Sequence, residues 1–163
     1  MKAFCLLLIS LFIAFNSALV YKLQEYIASK KLWDDLNPTT YTYVVYSASE
    51  IADVESRTTI TVTNDKVTRR AYWFKDNFNY DNKITTWVES TPKTIGSHKE
   101  GFVAINLDNV YAQCRSNILI QDPIENEIYF ETENDGLISK CGIFPINCSD
   151  DCFMGVIIES ITY

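Results

Sequence analysis

Residues 58–63 read T-T-I-T-V-T, a pattern that restricts the fold more than any other in this chain. An extended chain points successive side chains to opposite sides, so Ile60 and Val62 share one face of a half-buried strand. Asn64-Asp65-Lys66 supplies a turn, and residues 67–74 (V-T-R-R-A-Y-W-F) return as the partner strand. Residues 41–46 (Y-T-Y-V-V-Y), 127–132 and 156–161 have the same β-branched and aromatic character. Residues 127–132 and 137–141 flank Asn134-Asp135-Gly136, a strong hairpin signal. A polar excursion over residues 75–101, early in which stand Asn77, Asn79, Asp81 and Asn82, carries a short strand at 84–88.

Helical spacing governs two other stretches. From Leu19, the residues Leu23, Tyr26, Ile27, Trp33 and Leu36 recur on one face, with Lys22, Glu25, Lys30 and Asp34 between them. Asn37-Pro38 ends this helix, because proline has no N–H to donate and disfavours helical geometry in the residue before it. Leu107, Val110, Tyr111, Cys114 and Ile118 form a second stripe behind Asn106 as N-cap, and Asp122-Pro123 closes it. The order α-β-β-β-α-β-β-β indicates an α+β domain, an antiparallel sheet with two helices packed on one face. Trp33 is expected in the core, against strand 41–46.

The first eighteen residues read as a secretory signal. Met1-Lys2 is a short basic start, residues 3–15 are apolar except for Ser10, and Asn16-Ser17-Ala18 offers a cleavage site after Ala18. The apolar run is shorter than the roughly 20 residues a membrane-spanning helix needs. Residues 19–163 are then one secreted domain, extracellular and without a membrane span. Lys2 leaves with the signal, so the net charge of −7 becomes −8, which argues against nucleic acid or anionic lipid as partner.

Cys5 is lost with the signal, and Cys114, Cys141, Cys148 and Cys152 remain. An even count in an exported chain reads as two disulfides. Cys114 lies on the inward stripe of the second helix and Cys141 alternates with Leu137 and Ser139, which favours Cys114–Cys141 with Cys148–Cys152. The competing pattern is Cys141–Cys152 with Cys114–Cys148. No C-x-x-C pair is present, so no metal is expected, and no nucleotide-binding fingerprint points to a cofactor. Asn147-Cys148-Ser149 is the one glycosylation sequon, with Asn147 as acceptor.

A helix ending in Trp33, the Tyr41-Thr42-Tyr43 strand, the hairpin from Ile60 to Val67 and a capped helix from Leu107 to Arg115 stand in this order. With Asp122-Pro123 and Asp150-Asp151 before the last strand, the layout resembles an uncharacterised family of secreted or lipoprotein domains, mostly bacterial. This chain has Ser47-Ala48-Ser49 where that family commonly has Cys-x-Cys, and Ile124-Glu125-Asn126 where it has Gly-Tyr-Pro. The resemblance implies an exported domain and brings no catalytic residues.

No catalytic set stands out, so no catalytic residue is assigned. His98 reads as a surface histidine in a polar loop, and Arg69-Arg70 as solvated or edge-protecting charge. Among paired carboxylates, Asp34/Asp35 and Asp150/Asp151 are adjacent and point apart, whereas Glu131 and Glu133 share a strand face. The run from Glu131 to Gly136 faintly echoes a calcium loop but has Gly142 at the twelfth position. Most of the ten tyrosines and three tryptophans fall at core spacing. The expected function is a non-catalytic binding module for an extracellular protein or glycan, through a sheet face or the 75–101 loop. The alternatives are a small carboxylate hydrolase using Glu131 and Glu133, and a protease inhibitor presenting residues 142–147 as a pinned loop.

Overall fold

The structure, a computed structural model, describes residues 2–78 and 84–163, with side chains from Leu19 onward. Met1, and Asn79, Asp81 and Asn82 of the polar excursion, lie outside the described residues. In chain order the elements are α1 (Lys2–Leu36), β1 (Thr40–Ser49), β2 (Val54–Thr63), β3 (Lys66–Asp76) and β4 (Ile84–Glu89). There follow α2 (Leu107–Gln113), continued by a π-helical turn over Cys114–Ile118, then β5 (Asn126–Glu131), β6 (Lys140–Pro145) and β7 (Met154–Thr162). The strands make one seven-stranded antiparallel sheet in the order β4-β3-β2-β1-β7-β6-β5. The α+β layout expected from the sequence is the one observed.

Alternation sorts the sheet faces as the sequence indicates. Tyr41, Tyr43 and Val45 of β1, Ile60 and Val62 of β2, Phe130, Cys141, Val156 and Ile158 are all buried on one face. Both helices cover that face. Tyr26 of α1 meets Phe130 edge-on at 5.6 Å, and Trp33 meets Tyr41 at 4.8 Å. Tyr111 of α2 ties that helix to α1 and to the segment before β6. Its hydroxyl lies 2.8 Å from Ser29 Oγ and accepts from Ile138 N at 3.0 Å. Asn106 caps α2 by accepting from Asn109 N, and the Tyr41 hydroxyl accepts from Leu107 N, another of the unpaired donors at a helix start. Burial pushes the Tyr41 phenol up to about 12, so it stays neutral and keeps this role. Tyr43 donates to Ile105 O at 2.6 Å, so the two inward tyrosines of Tyr-x-Tyr both anchor the approach to α2.

The disulfides are Cys114–Cys141, which pins α2 to the sheet with Cα atoms 6.0 Å apart, and Cys148–Cys152. Among the described residues no helix is long and apolar enough to cross a membrane.

Several expectations need correction. The inward face of α1 is Tyr26, Ser29 and Trp33, while Leu23 and Ile27 are exposed. Heptad-like spacing (26, 29, 33) outweighs the broader apolar set, because a helix resting on a sheet turns only part of its circumference toward it. The helix also runs back to Lys2 rather than starting at Leu19, because the leucines and alanines among residues 2–18 are good helix formers. Asn134-Asp135-Gly136 does turn tightly, with Leu137 N donating to Asn134 O and both Asp135 and Gly136 at positive φ. It forms only an isolated bridge, however, and β6 starts at Lys140. Residues 142–145 therefore belong to a strand, with Gly142 and Ile143 buried, rather than to a projecting loop.

Candidate functional site: a cleft where β1 and β7 part

β1 and β7 pair from Thr42↔Thr162 to Tyr46↔Ile157 and no further. Beyond that point Ser47–Ser49 pair only with β2, and Met154–Val156 only with β6. Two local features separate the strands. The β1–β7 register slips between Val44 and Val45, and such a bulge bends a strand. Gly155 then lets β7 press against β6, since a Cβ there would run into Cys141 O and Gly142 Cα. Gly142 in turn leaves room for the ring of Phe153. Glycines within strands mark such close approaches, and this pair is a sequence signal that could have pointed to the site but was not read that way.

The opening is a cleft of about 820 Å³. Tyr46, Phe144, Phe153 and Ile157 wall it toward the open face of the sheet, and Val45 and Phe102 toward the helices. Glu50, Asp150 and Asp151 stand at its mouth. Asp151 closes one side, accepting from Ser49 Oγ at 2.5 Å and Ile51 N at 3.4 Å. The Ser49 hydroxyl bond, with the N–H groups of Ile51 and Glu50, holds the Asp151 carboxyl below the usual carboxylate range. A second, apolar chamber of about 150 Å³ adjoins the cleft through the shared residues Phe102 and Gly155, and reaches Val110, Ile118 and the Cys114–Cys141 bridge.

Phe102 is placed by a buried ion pair. Arg70 and Glu89 face each other across β3 and β4, and their side chains are 2 % and 0 % exposed. Arg70 Nη1 donates to Glu89 at 3.2 Å, Nη2 to Glu100 O at 2.5 Å, and Nε to Phe102 O at 2.7 Å. Phe102 N donates to Thr58 Oγ1 at 2.9 Å. Glu89 accepts from Gly96 N at 2.6 Å, His98 N at 2.8 Å and Ser97 Oγ at 3.2 Å, and lies 2.9 Å from His98 Nδ1. Gly101 takes the positive φ of +76 that glycine tolerates, and it lies against Thr58 and Tyr72 where a side chain has no room. The 96–102 segment is thus stapled to the sheet and delivers Phe102 to the cleft.

This arrangement corrects two expectations. Arg70 is neither solvated nor edge-protecting, although Arg69 is exposed. His98 is exposed, as a surface histidine should be, while its ring stacks on Trp87 at 4.2 Å and lies 2.9 Å from Glu89. Glu131 and Glu133 are not a shared-face pair, because β5 ends at Glu131, which lies 3.6 Å from Lys140. Of the tyrosines and tryptophans, Tyr26, Trp33, Tyr41, Tyr43 and Tyr111 are buried, whereas Tyr46 and Trp73 are half-buried on the open face, on either side of Arg57.

Burial works against ionising Glu89, but the His98 and Gly96 N–H groups, the His98 ring and Arg70 outweigh it and hold the carboxyl at about 2. Its stabilising contribution is therefore full above the ordinary value of 4.5 and lost as pH falls toward about 2. The gap in thermal midpoint between the wild type and Glu89→Gln is expected to narrow across that window. A gap that stays constant from neutral pH to pH 2 counts against an ionised Glu89.

The fold and the cleft together define an α+β domain with an opening inside its sheet. No family model matches this chain, and no curated protein or solved structure matches it.

Proposed function

We propose that this chain is an exported, non-catalytic binding domain that takes its extracellular ligand in the β1–β7 cleft. The observation that carries this reading is the cleft itself, an aromatic-walled opening of about 820 Å³ inside a sheet. Its size and mixed lining are those of a ligand site. Export rests on the signal pattern of residues 1–18 and fits a domain closed by two disulfides. The polar groups at the mouth favour binding over catalysis. Asp151 is committed to Ser49 and held ionised, the wrong state for a general acid. Asn147 is exposed in the turn after β6, which suits a glycosylation site.

Ser47 and Ala48 line the cleft and are exposed, so Ser47→Trp fills the opening without disturbing the core. Pull-down from the organism's own extracellular fluid is expected to recover a ligand with the wild type and to lose it with Ser47→Trp at an unchanged thermal midpoint. A ligand retained equally by both proteins would place binding elsewhere.

A further inference from the structure

We propose, building on the cleft as the binding site, that its ligand is an extended peptide segment that pairs with the parted strands through its main chain. The strand edges choose the ligand class. Ser47–Ser49 of β1 and Met154–Val156 of β7 each have a partner strand on one side only. Their other edges face the cleft, and Ser47, Ala48 and Gly155 are among the residues that line it. Strand edges present main-chain N–H and C=O groups in register, and another extended main chain matches that row of donors and acceptors. A sugar or an apolar small molecule fits the walls but not the repeat of the edges.

The side walls then specify the peptide's residues. A strand in the plane of the sheet points alternate side chains to opposite faces. On the open face they meet Tyr46, Phe144 and Phe153, and on the helix side they meet Phe102 and the apolar chamber of about 150 Å³. That chamber suits one aliphatic or aromatic side chain. Glu50, Asp150 and Asp151 at the mouth complement a basic residue at the end of the bound segment. The ligand is therefore a short segment with an apolar residue and a flanking lysine or arginine.

The probe is a displayed library of random heptapeptides, selected on the secreted protein, with the best binders then synthesised. Binders are expected to carry an apolar and a basic residue, and to weaken with added salt. N-methylation at alternate positions should weaken binding by several-fold to about tenfold, because each methyl removes a main-chain donor. Methylation at the intervening positions should matter less. Ser47→Trp and Ala48→Trp should both abolish binding, and bound peptide should slow amide exchange at residues 47–49 and 154–156. A library that yields no binder, or binders indifferent to N-methylation or to both tryptophan variants, overturns the peptide proposal. The cleft reading itself is judged separately: it survives that result if capture from extracellular fluid still depends on Ser47, and falls if it does not.

Discussion

Arg70→Met is expected to destabilise the protein by about 3–5 kcal/mol, because it leaves the buried Glu89 carboxylate without its counter-charge. For a domain of this size that is a fall in thermal midpoint on the order of 10 °C. Glu89→Leu should cost a similar amount by orphaning Arg70 and the donors at Gly96, Ser97 and His98. The double variant Arg70→Met/Glu89→Leu should cost less than the sum, since neither buried charge is then left alone. It should not regain wild-type stability. The carbonyls of His98, Glu100 and Phe102 lose the guanidinium in every variant lacking Arg70. Denaturant titration of the four proteins measures the cycle. Strict additivity would mean that the two side chains do not interact. Amide exchange should also quicken over residues 96–102, and ligand capture should weaken as Phe102 loses its support.

The strands were the most legible part of the sequence. Each inward residue of β1 and β2 follows from alternation, because a one-residue slip would carry Ile60 and Val62 to the wet face. The same rule held the clue to Arg70, which lies opposite Ile60 in the β2–β3 register and so must face inward with it. Composition hid this. A dibasic pair in a strand reads as surface charge until its partner is known, and Glu89 lies 19 residues away in another strand. The disulfides were legible because Cys114 and Cys141 sit on two surfaces that the periodicities already turned toward each other. The cleft was not, since it arises from strands ceasing to pair, and only Gly142 and Gly155 mark it locally. The inner face of α1 was misjudged for a related reason. Helical spacing gives a set of apolar residues, but only the part of the helix that meets the sheet beneath is buried.

That last point leads to a sharp contrast among substitutions in α1. Trp33→Ala is expected to cost about 3–5 kcal/mol, the range for removing a large aromatic side chain from a packed core. Trp33 is 3 % exposed and meets Tyr41 edge-on at 4.8 Å. Tyr41 in turn accepts from Leu107 N, so the cavity would open where α1, β1 and the start of α2 meet. Relaxation into that space would loosen the Leu107 cap as well, which places the cost toward the upper end. Leu23→Ala and Ile27→Ala stand on the same helix but at exposed positions, 39 % and 53 %. Their effect should stay within about 0.5 kcal/mol, as for surface substitutions generally. Thermal or denaturant midpoints of the three variants test the placement directly. An unchanged midpoint for Trp33→Ala, or losses at Leu23 and Ile27 that rival it, would mean that α1 is rotated on the sheet from the position described.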